Sequence, residues 1–148
     1  MDISRMLHSS RVIMQMKGNT KRDVLIELAD AQAKSGCVKD VEALKNAILE
    51  REAIMSTGIG ISIAIPHAKI AQVTDFVLAI GRKPEGIEYD SLDGLPVKII
   101  VMIAAPDDQQ NMYLRVLAKV THVLRDDAAR AKIMAATGPD EILALFRE

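Results

Sequence analysis

His67 sits where an imidazole can be put to chemical use. It follows Ile63-Ala64-Ile65-Pro66, an apolar run that predicts a strand, and Pro66 fixes its own φ and offers no backbone donor. The ring should therefore emerge at a strand edge. Three uses compete: a hydrogen-bonded histidine that merely ends a strand, a metal ligand, and a nucleophile. A metal site would want further ligands at regular spacing, but His8, His67 and His122 are scattered and no HxxxH or HxxE pair surrounds His67. No metal is expected. A neutral imidazole can instead attack phosphorus with its lone pair and form a phosphohistidine reactive enough to hand the group on. That chemistry needs a cation, backbone N–H groups and open access. Arg51 supplies a fork of donors that matches phosphate oxygens, and Gly58 and Gly60, two apart in Ser56-Thr57-Gly58-Ile59-Gly60, allow a tight turn that an anion can approach. The residues themselves leave strand end and nucleophile both open.

The elements that must position these groups can be read from periodicity. Val12-Ile13-Met14-Gln15-Met16 predicts a first strand, closed by Lys17-Gly18-Asn19. Thr20 starts a helix with Asp23 at capping-box spacing, and Gly36 ends it. Asp40 caps a second helix whose Val41, Leu44, Ala47 and Ile48 share a face, which places Arg51 in its last turn. After His67 come a strand from Asp75 to Arg82, with Gly81 marking a bulge, and a turn-rich loop from Lys83 to Leu95. The apolar run Val97 to Ala104 predicts the central strand. Pro106 and Asp107-Asp108 should end it and cap a third helix through Leu114, Leu117, Val120 and Leu124. Two short helices, Asp126 to Ala136 and Asp140 to Arg147, complete the chain. The order β-α-α-β-β-β-α-α-α fits a three-layer α/β/α sandwich with a mixed sheet, in a single domain over residues 1–148. No GxGxxG or GxxxxGK[ST] follows a strand, which disfavours a Rossmann or P-loop domain.

Composition narrows the function classes. A 148-residue chain with 49% apolar and 26% charged residues and a net charge of −1 can bury a core, and lacks the basic excess of a nucleic-acid binder. Aromatic content of 3% without Trp argues against a base-stacking surface. The single cysteine, Cys37, rules out an intramolecular disulfide and fits a reducing cytoplasm. With no apolar signal core near Met1 and no run of about 20 apolar residues, the expectation is a soluble, unprocessed protein without membrane insertion.

The run Glu52, Ile59-Gly60, Ile63-Ala64-Ile65-Pro66-His67 and Ala68 resembles the active-site pattern of enzyme IIA domains of the bacterial phosphoenolpyruvate-dependent phosphotransferase system, mannitol/fructose class, including their nitrogen-regulatory branch. The resemblance extends to the helices before the motif, the strand ending Ala104-Ala105-Pro106 and the helices after it. It implies that His67 takes a phosphoryl group from an HPr-type carrier on Nε2, that Arg51 steadies the phosphate, and that Thr57, Gly58 and Gly60 support it, with no cofactor. It implies as next partner an enzyme IIB, whose cysteine receives the phosphate, or regulatory targets that read the phosphorylation state. The length of the chain favours the regulatory branch; a sugar-specific enzyme IIA and a binding protein that no longer transfers phosphate are the alternatives. Tyr113 occupies the frame Tyr113-Leu114-Arg115-Val116-Leu117 where the family commonly has a second histidine, so transfer is expected to be slowed or subordinated to regulation. His122, nine residues on, lies about two and a half turns away and reads as a surface residue. Ile61-Ser62 stands where the family often has Asn-Gly. A shallow apolar patch including Ile59, Ile61 and Met112 is expected to dock the carrier.

Overall fold

The computed structural model describes residues 2–147. After two single-turn 3-10 helices, the chain forms β1 (Val12–Ile13), α1 (Lys21–Ala33), α2 (Val41–Ile54), β2 (Gly58–Gly60), β3 (Ile63–Ala64), β4 (His67–Lys69), β5 (Val77–Ile87), β6 (Val97–Ala105), α3 (Gln110–Arg125), α4 (Asp127–Ala135) and α5 (Pro139–Ala144). One mixed sheet runs in the order β1-β5-β6-β3-β2, and β4 also pairs with β6. β6 is the axis: β5 lies antiparallel on one side, and β3 and β4 lie parallel on the other. Its alternation divides the core. Ile99, Val101, Ile103 and Ala105 pack with α3, α4 and α5, while Ile100, Met102 and Ala104 face α1 and α2. The result is the expected three-layer α/β/α sandwich.

The caps of the first two helices are those the side chains dictate. Thr20 Oγ1 accepts from the Asp23 N–H at 3.1 Å and Asp40 Oδ1 from the Ala43 N–H at 3.1 Å, each contributing about 1 kcal/mol. Arg51 lies in the last turn of α2, as expected. Among the described residues no helix is long and apolar enough to cross a membrane.

Several boundaries differ from expectation. β1 stops at Ile13 because beyond it the Met16 N–H reaches the Arg82 carbonyl at 3.0 Å outside any regular ladder. Helix α1 ends at Ala33, so Gly36, with φ +80, shapes the turn beyond rather than the cap itself. The Ser56–Gly60 segment is not a turn: Gly58–Gly60 is a strand paired with β3. Pro66 does not end the sheet contact either. Its carbonyl accepts from the Ile103 N–H at 3.0 Å, and pairing with β6 resumes at once as β4. Strand β5 continues through Lys83–Ile87, where a loop is expected, and its irregularity lies between Arg82 and Ile87 rather than at Gly81. Gly81 pairs regularly with Ile100, and a Cβ there would stand 2.4 Å from Met16 Sδ, so the glycine admits a neighbour. Helix α3 starts at Gln110 behind Gln109, with no side-chain cap from Asp107 or Asp108, and the last helix is shorter, Pro139–Ala144.

The actual tight turn is Ile61-Ser62, joining β2 to β3 with φ +50 and +64. A β-branched residue in the left-handed region is strained, and Ile61 holds it with its N–H bonded to Asp93 Oδ2 at 2.9 Å. Replacing Ile61 by Asn, which tolerates this conformation, is expected to raise stability by about 0.5–1 kcal/mol in urea unfolding. A lower midpoint would show that the apolar cover of Ile61 outweighs its backbone cost.

Candidate active site

His67 opens β4 and stands half-buried at the edge of a cleft of about 490 Å³. Helix α2 contributes Ala47, Glu50, Arg51 and Ile54 to its wall, β4 contributes Ala68 and Lys69, and α3 contributes Gln110 and Tyr113 from its first turn. Both helix layers thus meet the sheet where His67 emerges.

One bond orients the ring. His67 Nδ1 lies 2.7 Å from the Ile65 carbonyl oxygen. A carbonyl can only accept, so Nδ1 carries the proton and donates, and in the neutral ring Nε2 holds the free lone pair. Pro66 between them makes this local i to i−2 contact by turning the chain between β3 and β4. Burial pushes the pKa of His67 below the ordinary histidine value. The Ile65 carbonyl pulls it upward, the Arg51 cation adds to the depression, and Glu52 opposes it. The net direction keeps the ring neutral, and therefore nucleophilic, near pH 7.

Tyr113 packs edge-on to His67, with ring centroids 5.8 Å apart and planes at 64°. Burial pushes its phenol up to about 12, although Arg51 works against that, so it stays neutral at the site. Arg51 donates from Nη1 to the Met55 carbonyl at 2.9 Å, which ties it to the end of α2 while its charge reaches both His67 and Tyr113. On the phosphoacceptor reading of His67 that the resemblance implies, Arg51→Ala is expected to slow phosphate uptake roughly 10- to 100-fold, because the lost term is charge stabilisation of a transferring group at a partly exposed site. An unchanged initial rate would take Arg51 out of the reaction.

Thr57, Gly58 and Gly60 take a different part from the one expected. They line neither the cleft nor the approach to Nε2. Thr57 is buried, its N–H is 3.1 Å from both carboxylate oxygens of Glu52, and its hydroxyl lies 3.1 Å from that of Tyr89. The Gly58 N–H donates to Ser56 Oγ at 3.1 Å, and a Cβ on Gly58 would stand 2.4 Å from Ser91 Oγ. At Gly60, φ is +100 and the neighbour is Asp93. Thr57 locks the start of β2 to α2 through Glu52, and the amides of Thr57 and Gly58 are spent within the protein. In the expected docking patch, Ile59 and Met112, the latter on α3, are half-buried against the core and Ile61 lies away from the cleft. The large exposed apolar side chain on the cleft wall is Ile54, at 81% exposure.

Sequence reasoning passed over Lys69 and Gln110. Lys69 follows His67 by two residues, and the period of a strand would have placed them on one face had β4 been read as a strand. Gln110 was hidden by the misplaced start of α3. His122 is exposed on α3, as expected.

Fold and cleft together define a class: a small α/β/α protein that presents one free imidazole nitrogen beside an arginine. Residues 5–148 match the family model "Phosphoenolpyruvate-dependent sugar phosphotransferase system, EIIA 2", and the chain belongs to this family, the phosphocarrier component of that system. It is 35% identical over 148 residues to the fructose-specific EIIABC component of Bacillus subtilis, covering 100% of this chain and 23% of that protein. Among solved structures, nitrogen regulatory protein IIA-Ntr of Neisseria meningitidis superposes with a TM-score of 0.92 at 25% identity, over 97% of this chain and 98% of that one. Enzyme IIAMtl of Escherichia coli, solved in complex with phosphorylated enzyme IIBMtl, shares the fold with a TM-score of 0.82 at 23% identity, over 95% and 96% of the two chains.

Proposed function

We propose that His67 Nε2 accepts a phosphoryl group from an HPr-type carrier in the cytoplasm and passes it on as a phosphohistidine. The observation that carries this reading is the Nδ1–H bond to the Ile65 carbonyl, which leaves Nε2 as the nucleophile in an open cleft beside Arg51. In the step, the Nε2 lone pair forms the new N–P bond as the donor's N–P bond breaks, and that electron pair leaves with the donor nitrogen. Nδ1 keeps its proton, donated to the Ile65 carbonyl, so the phosphorylated ring carries positive charge and remains a good leaving group. Arg51 screens the phosphoryl oxygens during transfer. Incubation with phosphoenolpyruvate, enzyme I and HPr is expected to yield one acid-labile phosphate per chain. No uptake would contradict the proposal.

The pH dependence follows from the direction of the His67 shift. A depressed pKa keeps the reactive neutral form populated on the acid side of the ordinary value, so the midpoint of the acid loss of uptake should lie below the ordinary histidine value of about 6.5. A rate already halved above pH 7 would mean that the ring is not the buried, neutral group described.

Two destinations for the phosphate remain in view. Similarity to the Neisseria meningitidis protein favours a regulatory output, whereas identity to the fructose-specific component favours donation to an enzyme IIB. Mixing the phosphorylated chain with a fructose-type enzyme IIB discriminates them: rapid loss of phosphate to the IIB assigns the sugar branch, and retention assigns the regulatory one.

A further inference from the structure

Resting on the reading of His67 as phosphoacceptor, we propose that Lys69 is a second phosphate-binding cation of this site, its ammonium moving from Gln110 onto the phosphoryl oxygens of phospho-His67. His67 and Lys69 are alternate residues of β4, so their side chains rise from the same face with Cα atoms roughly 6.6 Å apart, within the span of a lysine stem. Both line the cleft. The Lys69 ammonium donates to Gln110 Oε1 and stands 5.5 Å from the centre of the Tyr113 ring, the ring whose edge meets His67. Its partners are a neutral amide and a neutral aromatic face.

The charge balance of the cleft gives this placement its meaning. Transfer brings close to two negative charges onto His67. The cleft wall offers Arg51 and Lys69 against the single carboxylate of Glu50, and one arm of the Arg51 fork is already committed to the Met55 carbonyl. Tyr113 and Gln110 add no charge. Lys21 and Lys45 sit within salt-bridge distance of carboxylates, but no such pair involves Lys69 among the described residues. An exposed ammonium held by neutral groups is cheap to redirect, and a phosphoryl group is the stronger partner. Lys69 thereby supplies the charge that a tyrosine at position 113 lacks.

The test compares the wild-type chain, Lys69→Gln and Lys69→Arg with two donors, a phosphorylated HPr-type carrier and phosphoramidate. Phosphoramidate has no docking surface; its P–N bond breaks as the Nε2–P bond forms, and its nitrogen leaves as ammonia after taking a proton from water. Lys69→Gln is expected to reduce initial uptake about tenfold with both donors, and Lys69→Arg to restore most of it. The phosphorus-31 titration midpoint of the bound phosphoryl should rise in Lys69→Gln and return in Lys69→Arg, a change that a merely structural role would not produce. Equal uptake from phosphoramidate by wild type and Lys69→Gln overturns the proposal, as does a defect confined to the carrier, which would make Lys69 a docking residue. No uptake by the wild type from either donor overturns the His67 reading itself, and this one with it.

Discussion

Replacing His67 by alanine is expected to abolish acid-labile phosphate incorporation while leaving the fold intact. The effect should be complete rather than partial, because His67 is the only imidazole among the residues lining the cleft: Tyr113 is neutral with its phenol pushed up to about 12, Arg51 and Lys69 are cations, and a phosphate on the Glu50 carboxylate would be an alkali-labile acyl phosphate. The fold should survive because His67 is only half-buried and its one polar bond is to a carbonyl two residues away. Incorporation is read by intact-mass measurement at alkaline pH, where the N–P bond persists, and the fold by circular dichroism. Persistent labelling of His67→Ala would place the acceptor elsewhere.

The second large effect concerns Glu52, which does not touch the cleft and yet holds the hairpin behind it. Its side chain is only 4% exposed; it accepts from the Thr57 N–H, pairs with Lys21 Nζ at 3.2 Å, and lies against Tyr89, whose phenol is raised first by burial and then by this carboxylate. Lys21 also sits 4.4 Å above the Tyr89 ring. Glu52→Ala would leave a buried N–H and a partly buried ammonium without their acceptor. The expected cost is about 3 kcal/mol, toward the low end for a broken buried pair because Lys21 retains 25% exposure. Glu52→Gln, which keeps an acceptor for Thr57 but loses the charge, should cost less than half as much. Urea unfolding measures both. A loss below about 0.5 kcal/mol for Glu52→Ala would mean that the hairpin is held by its apolar contacts instead.

What could be read ahead of the structure followed the strength of the local signal. The run Val97 to Ala104 is apolar at nearly every position because β6 is covered on both faces, and such a strand announces itself. Thr20 and Asp40 cap through their own side chains, so their helices were placed correctly at the start. By contrast, β2 is Gly-Ile-Gly and carries no strand pattern; it pairs because only glycine fits beneath Ser91 and Tyr89 at position 58. The second half of β5 contains the turn formers Pro84 and Gly86, which fall in the irregularity between Arg82 and Ile87, and pairing resumes only where Ile87 meets Val97. Within the site, the imidazole and the arginine were legible from residue type and spacing. The tautomer was not, since it depends on a main-chain carbonyl brought back to the ring across Pro66. Neither was the attachment of Thr57 to the Glu52 anchor, which requires knowing that the segment folds inward.

The orientation of His67 is the claim on which the rest depends, and nitrogen-15 NMR of the imidazole, before and after phosphorylation, tests it most directly. With the ring labelled, the unmodified protein should show Nδ1 protonated and Nε2 bare at pH 7, and the phosphorylated protein should show phosphorus coupling at Nε2 only. Phosphorus on Nδ1, or a free ring protonated on Nε2, would contradict the account.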